Sequence, residues 1–119
     1  MIDPMPTDCL FCRIAAGEIP AEIVQQDDDV VAFRDINPAA PTHVLVIPRR
    51  HVASAAELGE GDGPLLARLF ATANAVAAAE GIAEGGFRLV TNIGDEGGQS
   101  VHHLHLHVLG GRRLSWPPG

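Results

Sequence analysis

Lysine is missing from this 119-residue sequence: all eight basic residues are arginine, set against 15 acidic ones, for a formal net charge of −7. A chain so short of positive charge has no basic face with which to grip a phosphate backbone, so no nucleic-acid partner is expected. A mononucleotide stays open, because a few local donors decide that binding and net charge does not. No apolar run approaches the roughly 18 residues that cross a bilayer, so no membrane span is expected. Residues 1–8 lack a positive stretch leading into an apolar one, the pattern of a secretory signal, and the expected compartment is the cytoplasm. Cysteine is scarce too, with only Cys9 and Cys12. Reduced thiols at this spacing read as a metal clip or a redox pair. Repeats and low-complexity blocks are absent.

Hydrophobic residues make up 46% of the chain and charged ones 19%, enough to bury a core. The length suits one compact domain over residues 1–119, with a loose polar arm at 1–8 and an irregular tail at 110–119. A short helix is expected at residues 11–17, ended by Gly17 and Pro20. Residues 30–35 and 43–47 read as strands, the second stopped by Pro48, with a proline-bearing loop between them. Ser54 caps a helical turn at 54–58. One long helix is expected from about 63 to 80. Its stripe is Leu65, Leu66, Leu69, Phe70, Ala73, Val76 and Ala77, with Pro64 opening it and Gly81 closing it. Residues 87–92 and 101–109 read as the last strands, separated by a turn at 94–98. Strands that follow one another beside one major helix give an α+β fold with an antiparallel sheet.

Three of the six histidines, His103, His105 and His107, alternate through the last of these strands. Alternate residues of a strand share a face, so the imidazoles point one way while Leu104, Leu106 and Val108 enter the core. Same-face neighbours lie about 6.6–6.8 Å apart and the outer pair about 13 Å. Two adjacent rings can converge on one phosphate, whereas all three reaching one metal is geometrically marginal. A neutral imidazole is a competent nucleophile and a charged one donates to phosphate oxygens. Gly97, Gly98, Gln99 and Ser100 lead into this segment, where glycine lets a backbone approach a ligand and present N–H groups to an anion. The plainer reading of the histidines is a solvated surface strand; a metal-only site is another.

The run Gln99-Ser100-Val101-His102-His103-Leu104-His105-Leu106-His107-Val108 resembles the signature of the histidine triad family. The endings Gly110-Gly111-Arg112-Arg113 and Trp116-Pro117-Pro118-Gly119 resemble its histidine triad nucleotide-binding (Hint) branch. Phe33-Arg34-Asp35-Ile36, Ala40-Pro41-Thr42-His43 and Val46-Ile47-Pro48 extend the resemblance over about residues 8–119. It implies a HIT-like fold, a homodimer sharing an antiparallel sheet, and a purine nucleoside monophosphate site. The implied activity is hydrolysis of AMP or GMP phosphoramidates. On this resemblance His105 is the nucleophile that becomes transiently nucleotidylated, and His107 is a phosphate ligand. Ser100, Gln99 and Gly98 contact the phosphate and leaving group. Asp35 holds the ribose hydroxyls, Phe33 and Ile36 line the base pocket, Asn92 binds near ribose and phosphate, and His43 supports the site. Plainer roles exist for several: a strand-end cap for Asp35, core packing for Phe33 and Ile36, a turn for Asn92.

Cys9 and Cys12 have the spacing of half a tetrahedral zinc clip; a redox pair and inert thiols are the alternatives. Family members that share these cysteines imply His51 and His103 as the other ligands, with His102 the rival for the fourth place. Such a zinc is structural and not needed for catalysis. The tail is implied to cross the dimer toward the leaving-group side of the partner's site. Two other functions remain open, a dinucleoside polyphosphate hydrolase and a non-catalytic purine nucleotide-binding module. The group that protonates the leaving amine is not visible in the sequence.

Overall fold

Cys9 opens the first regular element. In the computed structural model, which describes residues 8–119, its Sγ accepts the Cys12 N–H at 3.3 Å and so caps helix α1, Leu10–Ala15. The chain leaves α1 through Gly17 in the left-handed region at φ 78°, where a Cβ would be strained. Apart from Asp8, the arm expected at 1–8 lies outside the described residues.

Five strands follow: β1 Ile23–Gln26, β2 Val30–Arg34, β3 Thr42–Pro48, β4 Arg88–Val90 and β5 Leu106–Gly110. They form one sheet in the order β1-β2-β3-β5-β4, every neighbouring pair antiparallel. Strand β1 has no counterpart in the sequence reading. It is an edge strand with two glutamines and half-exposed side chains, so it lacks the apolar alternation that betrays a buried strand.

Helix α2, Gly63–Ala79, covers one face of the sheet. Leu69, Ala73, Val76 and Ala77 pack there on Val30, Ala32, Val44, Val46, Leu104, Leu106 and Val108. The opposite face buries Val31, Phe33, Leu45 and Ile47 beneath Phe11 and Ile14 of α1. Strands β2 and β3 serve both cores, which is why they read as nearly unbroken apolar runs. The Arg34 guanidinium locks β2 to the end of α2, with Nη1 and Nη2 on the two Glu80 carboxylate oxygens at 2.7 and 2.8 Å. Ser54 caps a short 3-10 turn, Ala55–Glu57, as expected.

Two expectations are corrected. The stripe on α2 is narrower than its apolar residues suggest, because Leu66 and Phe70 are 37% and 48% exposed and Thr72 is buried instead. The buried arc centres on Leu69 and Val76, and Leu66 and Phe70 stay part-exposed at its margin among the described residues. The strand expected at residues 101–109 begins only at Leu106. Its ladder with β3 starts at the Val46–Leu106 pair, so His103 and His105 precede it.

Candidate active site

Although irregular, the lead-in to β5 keeps its alternation. Leu104 enters the α2 core, while the His103 and His105 rings lie against Phe11 of α1, centroids 6.0 and 5.1 Å away. Two contacts hold this segment outside the ladder: Leu104 N–H donates to the Val52 carbonyl at 2.6 Å, and Thr91 Oγ1 to the His105 carbonyl at 2.9 Å. His107 alone stands on the strand, opposite Leu45 and Val90, its ring centroid 5.0 Å from that of His105.

Backbone partners fix the tautomers. A carbonyl only accepts, so the contact of 2.7 Å between His105 Nδ1 and the His103 carbonyl puts the His105 proton on Nδ1. Its Nε2 lone pair is left free. At His43, Nδ1 accepts the Ala39 N–H at 3.0 Å, so the proton of the neutral ring sits on Nε2. That N–H lies 2.9 Å from His107 Nδ1 and 3.4 Å from Asp35 Oδ2. His107 Nδ1 is therefore an acceptor, and its own proton sits on Nε2. Burial lowers the pKa of His43, against the pull of Asp35. Burial first, then nearby His105 and His43, pushes His107 down to about 4. With both rings neutral, the pair offers an unpaired lone pair on His105 Nε2 beside an N–H on His107 Nε2.

Around this pair the other expected residues take varied positions. Asp35 follows the last residue of β2, where its Oδ1 accepts the Asn37 N–H at 2.8 Å; it braces the turn out of the strand and still faces His43. Ile36, next to it, is 91% exposed and presents an open apolar side chain. Phe33 is a core residue, set edge-on to Phe11 at 5.4 Å, with no open surface for a base. Asn92 donates from Nδ2 to the Gly97 carbonyl at 2.7 Å and braces the turn. The buried Gln99 accepts the Gly94 N–H at 2.9 Å and donates to the Ala53 and Val101 carbonyls, so its amide is committed to protein. A Cβ on Gly97 would meet the Ile93 carbonyl at 2.3 Å, and Gly98 sits at φ +80°; both positions need glycine. Ser100 is exposed and lines a groove of about 380 Å³ with His102, Asp8 and His51. A larger groove, about 670 Å³, lies away from the histidines, between the end of α2, β4 and the tail. The tail is irregular, tied down by Arg88 to the Ser115 carbonyl at 2.8 Å and by Arg112 to the Ala39 carbonyl at 3.0 Å.

His103 turns the other way. Its Nε2–H donates to the Pro48 carbonyl at 2.8 Å, which aims the Nδ1 lone pair at Cys9 Sγ and Cys12 Sγ, both 3.4 Å away. His51 Nδ1 lies 3.3 Å from Cys12 Sγ and 3.2 Å from His103 Nδ1. A tetrahedral zinc, with bonds of about 2.3 Å to sulfur and 2.0–2.1 Å to nitrogen, spaces its ligands about 3.3–3.8 Å apart. The four separations above, 3.2–3.4 Å, lie at or just below the short end of that range, and all four donor atoms lie within 4.8 Å of one another. Burial pushes His103 down to about 4, keeping it the neutral ligand a metal needs. Burial and neighbouring Cys9 push the Cys12 thiol up to about 12, so its thiolate is favoured only with a cation beside it. His102, the rival ligand, is exposed and stands outside this cluster. Asp35, His43 and His107 also converge, but there His43 and His107 are hydrogen-bonded to each other, with Asp35 3.4 Å from His43. The sequence reading missed Pro48, Ala39 and Thr91, which act through backbone groups or a hydroxyl, and Phe11, whose contact is tertiary.

A five-stranded antiparallel sheet under one long helix, entered by three alternating histidines, defines a histidine triad architecture. The chain belongs to the HIT domain family, whose pattern matches residues 16–114. It is 50% identical over 115 residues to an uncharacterised HIT-like protein of Synechococcus elongatus, covering 97% of this chain and all of that one. It superimposes on a HIT family hydrolase from Legionella pneumophila with a TM-score of 0.92 at 53% identity, covering 94% of this chain and 100% of that one. A HIT family hydrolase from Clostridium thermocellum gives 0.91 at 46% identity, covering 93% and 96%. The α+β fold is HIT-like.

Proposed function

We propose that this protein is a hydrolase of the Hint type, cleaving the P–N bond of purine nucleoside phosphoramidates. The observation that carries the reading is the pair of opposed tautomers, a free lone pair on His105 Nε2 beside an N–H on His107 Nε2. One is a nucleophile and the other a donor for a phosphate oxygen. In the first step His105 Nε2 attacks the α-phosphorus, a new N–P bond forms, and the bond to the amine breaks. The amine departs with a proton. Water then attacks the same phosphorus, the bond to Nε2 breaks, and AMP or GMP is released. His107 Nε2–H and the exposed Ser100 hydroxyl stabilise charge on the phosphoryl oxygens. Asp35 receives the ribose hydroxyls and Ile36 covers the base. Gly98, Gln99 and Asn92 shape the turn that presents Ser100. A zinc held by Cys9, Cys12, His51 and His103 has all four positions taken by protein and supplies folding energy only.

The protein acts as a homodimer in this reading. Leu66 and Phe70, half uncovered on α2, and the open edge of β4 suit a second copy. Trp116, 81% exposed in the tail, is an anchor for reaching the partner's leaving-group side. Free thiols at Cys9 and Cys12 suit the reducing cytoplasm.

The test is turnover by purified protein. Adenosine 5′-phosphoramidate and a dinucleoside polyphosphate are supplied in parallel and AMP release is followed by chromatography. Faster release from the phosphoramidate is expected. Release only from the polyphosphate would move the protein to the other hydrolase class, and binding without release would make it a nucleotide-binding module.

A further inference from the structure

Cys9 and Cys12 differ in access, which their convergence on one clip does not require. Cys12 is 0% exposed. Cys9 is half-buried at the margin of the core beneath α1 and lines the groove of about 380 Å³ with Asp8, Ser100 and His102. A small solute in that groove meets one sulfur and not the other. The two sulfurs are nevertheless close. As the N-cap of α1, Cys9 turns its Sγ back over the first turn to accept the Cys12 N–H at 3.3 Å. Both sulfurs lie 3.4 Å from His103 Nδ1 and within 4.8 Å of each other. A disulfide needs about 2.05 Å between them, a gap that rotation of the half-buried Cys9 side chain closes while Cys12 stays in place. The chain has no other cysteine, so an oxidised Cys9 has one thiol of its own chain to meet.

We propose that Cys9 is an oxidation site for a small hydroperoxide and that Cys12 is its resolving thiol, the pair closing to a disulfide that dismantles the clip. This goes beyond the phosphoramidase reading and does not depend on it. In the first step Cys9 Sγ, as thiolate, attacks the hydroxyl oxygen of the hydroperoxide. An S–O bond forms, the O–O bond breaks, and the alcohol, or water from hydrogen peroxide, leaves with a proton. Cys9 is then a sulfenic acid. Cys12 Sγ attacks its sulfur, the S–S bond forms, the S–O bond breaks, and hydroxide takes a proton and departs as water. Two electrons pass from the two sulfurs to the peroxide. The two protons come from the thiols, or from solvent where both sulfurs start as thiolates. The disulfide offers no thiolate, so a zinc in the clip loses two of its four ligands and is released from His51 and His103. A thiol reductant reverses the change by exchange.

The test treats zinc-loaded, full-length protein with about one equivalent of hydrogen peroxide. Zinc release is followed with a chromogenic chelator, and chymotryptic fragments are read by mass spectrometry. Cleavage after Leu10 or Phe11 puts Cys9 and Cys12 on separate fragments that only a disulfide keeps joined. The expected result is that linked pair, with about one zinc released per disulfide and both changes reversed by dithiothreitol with added zinc. Samples quenched early with dimedone are expected to carry its adduct on Cys9. Cys12→Ser should stop at that stage, with the adduct on Cys9 and no link. Cys9→Ser, in which serine still caps α1, should leave the buried Cys12 unmodified at the same dose. Should either variant fail to fold by circular dichroism, the wild-type quench decides which sulfur reacts first. Both thiols still reduced after a tenfold excess of peroxide overturn the proposal. So does a link between two chains, or a dimedone adduct on Cys12 ahead of Cys9. Protein that holds no zinc beforehand yet forms the Cys9–Cys12 link supports the oxidation site and overturns the zinc reading of the clip.

Discussion

Two clusters of four groups lie side by side in this protein, and the same side chain does opposite work in each. In the clip, Cys9, Cys12, His51 and His103 face inward and their donor atoms converge. In the second cluster (Asp35, His43, His105 and His107), His43 bonds to His107 and lies 3.4 Å from Asp35, while His105 bonds to the main chain, so the Nε2 atoms of His105 and His107 are left unpaired. The difference is set by one backbone carbonyl each. Pro48 takes the Nε2–H of His103 and turns Nδ1 toward the two sulfurs; the His103 carbonyl takes the Nδ1–H of His105 and leaves Nε2 unpaired. Two histidines two residues apart are thus sorted by which nitrogen meets the main chain, one with Nδ1 turned to the two sulfurs and the other with Nε2 left unpaired.

The sharpest way to break the comparison is to remove the nucleophile. His105→Ala should lower kcat/KM for adenosine 5′-phosphoramidate by at least a few thousandfold while the protein stays folded. Steady-state kinetics with circular dichroism on the same sample reads both. Near-normal turnover would place the nucleophile elsewhere.

A smaller effect is expected one step back. His43→Ala removes the N–H that makes His107 Nδ1 an acceptor, so the His107 proton no longer has one preferred nitrogen. A loss of kcat of about 10- to 100-fold is expected, of the size seen when an orienting partner is lost. An unaltered kcat would mean that the His43–His107 contact plays no part in turnover.

The clip should answer differently, in stability. Cys9→Ser with Cys12→Ser should lose about one zinc per chain by elemental analysis, and Tm should fall by on the order of 10 °C. Metal-free wild type with the same Tm as the loaded form would contradict this.

The smallest effect is a pH dependence arising at His107. His107 titrates at about 4 in the folded protein because burial disfavours its charged form, against about 6.5 when unfolded. Between these values the unfolded chain binds a proton that the folded one refuses. Stability is therefore highest above about 6.5 and declines as pH falls toward 4, by at most about 1.4 kcal/mol per unit and less for this half-buried ring. Denaturant midpoints between pH 7 and pH 5 measure it, and His107→Gln should flatten the slope. An equal slope in the variant would assign the dependence to other groups.

The division between the clusters was only half legible in the sequence. Cys9, Cys12 and the alternating histidines announced themselves by spacing, and β2, β3 and α2 by apolar pattern. The lead-in to β5 misled, because alternation reports which side chains go inward, and Leu104 and His105 alternate without a ladder. Strand β1 was silent, since an edge strand with Gln25 and Gln26 needs no apolar face. Gln99 and Phe33 carry no sequence sign of the contacts that commit one to the turn and the other to the core. The sorting of the histidines was wholly invisible, because it depends on the Pro48 carbonyl and the Ala39 N–H, and every residue type carries a main chain.

The central claim is that His105 Nε2 bonds to phosphorus. Wild-type protein mixed with excess adenosine 5′-phosphoramidate, quenched within the first turnover and digested, can be read by mass spectrometry for an adenylyl group on the peptide bearing His105. The account predicts that group on His105, absent from the His105→Ala protein. Rapid AMP release with no adenylylated peptide at any quench time, or the group on His103 or His107, would contradict it.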